Sequence, residues 1–213
     1  LVLTYPLIGN YGIPDDTEFD EYKIMRHFES NGKIWISALI VGELCETPSH
    51  WRQKQTLAEW MKKHKIPGIS GIDTRALTKR IRENGTMLGK IIQQPSGPFP
   101  GLQFKDQNER NLVDEVSVKK AVVYNPSGSP KICAVDCGLK LNQIRCFVKR
   151  GARVEVVPWD QELNPDNFDG LFLSNGPGDP VMCQKTVKNL QNFLKSPKAK
   201  PVLVFVLGHQ LLS

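Results

Sequence analysis

Val202-Leu203-Val204-Phe205-Val206-Leu207-Gly208-His209-Gln210 runs from five apolar residues into a sharp turn and the start of a helix. An unbroken apolar run of this length reads as a strand covered on both faces. The same pattern recurs going back along the chain. Residues 171–174, 154–157 and 131–135 are short apolar runs. Helical stretches at 186–195 and 142–150 separate them, the second closed by Gly151. Strands alternating with helices imply a parallel sheet with helices on both sides, a doubly wound α/β domain over residues 131–213. Such sheets bind ligands at the carboxyl ends of their strands.

Upstream, Asn125-Pro126-Ser127-Gly128-Ser129-Pro130 reads as a linker, so residues 1–124 are expected to form a separate domain. Its elements mix without strict alternation, an α+β pattern. Strands are expected at 1–5, 34–41 and 87–93. Helices are expected at 20–29, at 50–64 before Pro67-Gly68, and at 74–84 with Asp73 as N-cap and Gly85 as stop. Residues 95–101 read as a surface loop. Trp51, Leu57, Trp60 and Met61 recur at helical spacing and are expected in the core rather than at a cofactor. No metal-ligand spacing or phosphate loop occurs in this half.

The composition is that of an ordinary globular protein, with 40% hydrophobic and 23% charged residues. No apolar run reaches the roughly 20 residues that cross a bilayer, and no signal peptide is visible. The sequence opens at Leu1 without a methionine, as if cut from something longer. The net charge of +6 is spread over helix-like segments with no interleaved aromatic residues, which argues against nucleic-acid binding. Five cysteines with no CxxC suggest neither a disulfide framework nor a zinc site, and fit a reducing, cytoplasmic setting.

Two loops lie at strand ends. Ser174-Asn175-Gly176-Pro177-Gly178-Asp179-Pro180 can turn its amides outward towards an anion or a developing oxyanion, or it can be a plain strand–helix turn. The loop at Val206 has the strand–turn–helix form of a nucleophile elbow. Gly208 supplies the small residue two places after the tip, but Val204 stands two places before it, and Val206 at the tip has no nucleophilic atom. His209 lies on the emerging helix, where a structural role is expected.

Together these loops resemble the class I glutamine amidotransferase domain, and more closely the small subunit of carbamoyl-phosphate synthetase. Asp136-Cys137-Gly138-Leu139-Lys140, Asn142-Gln143-Ile144-Arg145 and Val157-Pro158-Trp159-Asp160 fit the same family. In the first half, residues 3–12 and Gly71-Ile72-Asp73-Thr74-Arg75-Ala76-Leu77-Thr78 resemble the N-terminal domain that sets this small subunit apart from other glutamine amidotransferases. Within the family the chain is most similar to the animal multifunctional pyrimidine-synthesis proteins, where the glutaminase is fused to synthetase, aspartate transcarbamoylase and dihydroorotase. The urea-cycle mitochondrial enzymes are the weaker match.

The resemblance implies a chemistry. A cysteine thiolate attacks the glutamine amide, ammonia leaves, and a glutamyl thioester is hydrolysed with help from a histidine and a glutamate. The ammonia passes to the large subunit or fused synthetase region, which uses ATP, bicarbonate and Mg; this chain itself needs no cofactor. Gly176 and Gly178 match glutamine-binding glycines, Gly176 also being an oxyanion donor. Leu207 matches the residue whose N–H completes the oxyanion hole, and Gln210 a glutamine contact.

Departures from the family pattern are equally plain. Its Gly-Ile-Cys-Leu-Gly-His is Val204-Phe205-Val206-Leu207-Gly208-His209 here. The family's triad histidine and glutamate lie beyond Ser213, and a serine that contributes to glutamine binding lies before Leu1. The amidotransferase domain is thus expected to be truncated and catalytically incompetent alone, even with Val204→Gly and Val206→Cys restored. The alternative is a non-catalytic pseudo-glutaminase docking on a synthetase subunit. A nucleotide site at Gly176 ranks below both, for want of a G-x-G-x-x-G or Walker lysine. Because positive φ suits a β-branched residue poorly, the last strand is expected to run one residue further or the elbow to relax to negative φ. The last strand, expected to lie inside the intact sheet, would leave an aggregation-prone edge.

Overall fold

The computed structural model describes residues 1–30, 32–92 and 103–213. The chain divides into two compact units, residues 1–18 with 25–105 and residues 19–24 with 106–213. The division falls at residue 105, ahead of the linker-like stretch at 125–130.

In the first unit, β1 (Leu7–Ile8), β2 (Leu39–Ile40), β3 (Glu43–Leu44) and β4 (Gly68–Ile69) make two parallel pairs, β1 with β3 and β2 with β4. α1 (Leu57–Lys63) starts at a capping box in which the Thr56 hydroxyl accepts from the Glu59 N–H and the Glu59 carboxylate accepts from the Thr56 N–H. α2 (Thr74–Asn84) is capped by Asp73 and stopped at Gly85, as expected from the sequence. Leu39, Val41 and Met61 form a small core, with Leu3, Ile8 and Ile66 packed against it.

Several first-half expectations fail, each for a local reason. Residues 20–29 form no helix. The Asp20 carboxylate accepts from the N–H groups of Tyr22 and Ile24, both at 2.9 Å, and Lys23 takes φ +62°. These side-chain bonds replace the helical ladder. The helix expected over 50–64 begins only at Leu57, because the Lys54 N–H donates to Ile13 O and residue 55 bridges to Ile13. Residues 1–5 contribute only a bridge from Val2 to Ile40, and residues 34–41 pair only at Leu39–Ile40. Residues 87–92 form no strand; Gln93 and the loop expected at 95–101 lie outside the described residues. Met61 is buried, but Trp51 is 79% exposed and is no core residue.

The second unit follows the predicted rhythm more closely. After α3 (Leu112–Val116) come β5 (Val122–Tyr124), β6 (Lys131–Asp136), α4 (Leu141–Val148), β7 (Arg153–Pro158), β8 (Gly170–Leu173), α5 (Gln184–Leu194), β9 (Val202–Val204) and α6 (Leu207–Leu212). The sheet order is β5-β7-β6-β8-β9. Strands β6 to β9 are parallel, the α/β sheet expected of a class I glutamine amidotransferase; β5, unforeseen, joins antiparallel to β7. Tyr124 therefore belongs to the same sheet as Lys131, across the linker-like stretch at 125–130.

Both faces of this sheet are covered. Phe172 of β8 meets Phe147 of α4 edge-on, with centroids 5.1 Å apart. Leu171 and Leu173 join the core made by Leu190 and Phe193 of α5 and Leu207 and Leu211 of α6. Each such fully buried side chain contributes roughly 1.5–3 kcal/mol. At the edge formed by β9, Leu203 is 57% exposed, and Phe205, just beyond the strand, 51%. No described helix is long and apolar enough to cross a membrane.

Candidate functional site

The carboxyl ends of β6, β8 and β9 bring three loops together. After β6, the Asp136 carboxylate accepts from the N–H groups of Gly138 (2.9 Å) and Leu139 (2.7 Å), and its other oxygen accepts from Val118 N–H at 2.9 Å. Those bonds account for a buried carboxylate that makes no ion pair among the described residues, and fix the turn at Cys137 and Gly138.

After β8, the buried Ser174 hydroxyl accepts from Cys137 N–H at 3.0 Å and donates to Asn175 O at 2.8 Å. Asn175 donates from its Nδ2 to Gly138 O at 2.9 Å. The glycine loop is thus tied to the β6 loop by two adjacent side chains. A Cβ on Gly176 would sit 2.0 Å from Cys137 O and 2.7 Å from Leu207 Cδ2, so only glycine fits there. Gly178 takes φ +81° beside Leu112 of α3.

After β9, Phe205 N–H donates to Leu173 O at 3.0 Å, and Gly208 N–H to Ser174 O at 3.1 Å. Between these two anchors Val206 takes φ +50° and ψ −106° and is 61% exposed. This overturns the expectation of a longer strand or a relaxed elbow. The strand stops at Val204, and the tip keeps its positive φ despite a β-branched side chain. Gly208 explains why. A Cβ there would lie 2.4 Å from Leu173 O, so α6 is seated against β8 and the chain must turn sharply to enter it.

The glycine loop and the elbow meet at the Gly176–Leu207 contact. Neither the Gly176 nor the Leu207 N–H meets an acceptor among the described residues. His209 and Gln210 lie exposed on the first turns of α6, and the His209 ring makes no hydrogen bond among the described residues. The sequence singled out Gly176, Gly178, Leu207 and Gln210 but passed over Ser174, Asn175 and Asp136. The last carried a signal, an aspartate two residues before a glycine at a strand end.

The buried thiols of this unit are not poised as nucleophiles. Burial pushes the Cys133 thiol up to about 12 and Cys183 up to about 11, and raises Cys137 strongly as well. All three are protonated at neutral pH and enclosed. Among the described residues no group of three His, Cys, Asp or Glu side chains could hold a metal.

Residues 1–91 match the carbamoyl-phosphate synthase small chain, CPSase domain, and residues 133–213 match glutamine amidotransferase class-I. The whole chain is 54% identical to the multifunctional protein CAD of Squalus acanthias, over 9% of that protein's length. It is 43% identical to the multifunctional protein pyr1-3 of Dictyostelium discoideum, over 10% of its length. Over 98% of the chain it is 40% identical to human carbamoyl-phosphate synthase (ammonia), mitochondrial, over 14% of that protein. The chain therefore spans about a tenth of the length of these curated relatives. Over residues 1–91 the chain is thus similar to the carbamoyl-phosphate synthase small chains, and over residues 133–213 to the class-I glutamine amidotransferases.

Proposed function

We propose that this chain is the glutamine-handling region of a carbamoyl-phosphate-forming, multifunctional pyrimidine-synthesis protein, and that its covalent glutaminase step is lost at Val206. The observation that carries this reading is the elbow itself: its tip projects into solvent at φ +50°, where the family places a thiol, and the side chain there is an isopropyl group. A valine can neither attack the glutamine amide nor hold a glutamyl group. The surroundings support retained recognition. The Gly176 and Leu207 N–H groups are available to a carbonyl oxygen, with Gly178 and Gln210 close by in sequence to contact the rest of a glutamine.

A second reading is favoured by the same preserved elbow. The region acts as a non-catalytic pseudo-glutaminase that docks on the synthetase region, which then draws on free ammonia. ATP, bicarbonate and Mg belong to that synthetase region.

The test uses an electrophilic glutamine analogue bearing a diazoketone, which alkylates an elbow thiolate. The unaltered chain is expected to release no glutamate from glutamine and to take up no label at 206. Label on any of its five cysteines that glutamine protects, or glutamate release above buffer, would overturn the loss of the covalent step. Co-purification with a synthetase region in the absence of glutaminase activity favours the docking reading.

A further inference from the structure

Trp51 stands 79% exposed, yet its ring is in contact with both His50 and Arg52. It stacks on His50 with centroids 5.4 Å apart and planes 27° from parallel, and the Arg52 guanidinium carbon lies 4.2 Å from its centre. His50 in turn meets Tyr11 at 5.2 Å. The result is an ordered ladder, Tyr11–His50–Trp51–Arg52, on the surface of the first unit. Its imidazole is oriented: Nδ1 accepts from Arg52 N–H at 3.1 Å, so in the neutral ring the proton sits on Nε2 as a donor.

The backbone beneath the ladder is pinned. Ile13 N–H donates to Gln55 O at 2.8 Å, Lys54 N–H to Ile13 O at 2.9 Å, and Ser49 N–H to Asn10 O at 3.1 Å. Gly12, at φ +63°, lets these two segments meet; a Cβ there would lie 2.5 Å from Gln53 Cγ. Between them is a cavity of about 400 Å3 lined by Tyr11, Arg26, His27, Glu29, His50 and Arg52. His27 is held by Glu18 at 2.9 Å. Neither Arg26 nor Arg52 makes an ion pair among the described residues, and Glu29 is the one carboxylate in the lining.

Two arginines against one glutamate in the lining favour an anion, and arginine suits the oxygens of a phosphate. The exposed ring of Tyr11 beside them suits a flat ring. The volume lies in the range of small-molecule sites. The geometry points to a binding site for a small phosphorylated metabolite with a planar ring, of the nucleoside monophosphate class. Its phosphate is taken by Arg26 and Arg52, and its ring lies against Tyr11 and His50. The site is independent of the elbow and of any glutaminase reading.

Titration calorimetry of the full chain at low salt tests it with adenosine and uridine monophosphates, the matching nucleosides, and inorganic phosphate. At least one monophosphate is expected to bind, with its nucleoside and inorganic phosphate each at least tenfold weaker. Arg26→Gln and Arg52→Gln are each expected to weaken the monophosphate at least tenfold and to leave the nucleoside unchanged. Tyr11→Leu is expected to weaken monophosphate and nucleoside alike. Absence of binding at millimolar concentrations overturns the site. Inorganic phosphate binding as tightly as the monophosphate, or arginine variants that bind normally, does the same. The ligand panel on the unaltered chain decides even if a variant misfolds.

Discussion

Replacing Val206 by glycine is expected to stabilise the second unit, although it removes a side chain. A residue other than glycine held at positive φ costs about 1–3 kcal/mol, and a β-branched one lies in the upper part of that range. At Val206 ψ is −106°, outside the left-handed helical basin, so no local minimum softens that cost. Against the gain stand two losses. Val206 is 61% exposed, so about two-fifths of its surface is removed from water, which at roughly 1.5 kcal/mol for a fully buried valine is about 0.6 kcal/mol. Glycine also gives the unfolded chain more freedom, worth about 0.5–1 kcal/mol. The balance is a gain of about 1 kcal/mol. Urea unfolding followed by Trp159 fluorescence measures it, in a chain whose Trp35, Trp51 and Trp60 are phenylalanine. Val206→Ile keeps the branching and is expected to gain nothing. A glycine variant less stable than the parent, or no better than the isoleucine one, would refute the claim that the elbow holds Val206 in a strained state.

Two further outcomes follow from the same region. Gly208→Ala drives a Cβ to 2.4 Å from a backbone oxygen that cannot swing aside; overpacking of about 3 kcal/mol, offset by up to about 1 kcal/mol of helix propensity, leaves a loss of about 2 kcal/mol. Gly89→Ala, with nothing within 4 Å, is the control and is expected to change stability by less than about 0.5 kcal/mol in the same urea assay. The buried thiols give an alkaline limb. The folded pKa of Cys133 is raised from 9.0 to about 12, so its contribution is complete below pH 9 and is lost as pH rises towards 12. Stability measured across that window should fall, and Cys133→Ala should make the fall shallower; an unchanged slope counts against the burial.

The second unit was legible because its strands are largely apolar runs and α4 closes at Gly151, signals that tertiary contacts reinforce. The first half of the chain was not, because its pairing is confined to two-residue strands and its turns are built by side chains. Asp20 captures two backbone donors and stops a helix whose pattern looked sound. Trp51 has core spacing, but the residues around it bridge to Ile13 instead of forming a helix. β5 was missed because an edge strand of three residues next to Pro and Gly leaves a faint pattern. At the site, the glycine loop and elbow were visible as motifs. The backbone of Val206 was misjudged because local preference was weighed without the clamps on either side, Phe205 on Leu173 and Gly208 on Ser174, that leave the tip no freedom.

Those clamps separate two things that usually change together. The turn is dictated by its neighbours, so whichever residue occupies the tip inherits the same projecting pose. An exchange there alters the chemistry displayed at the tip while disturbing foldedness by little more than the local strain. Selection for a folded polypeptide is therefore almost blind to position 206, and the residue at the tip can change in a lineage without any remodelling of the scaffold around it.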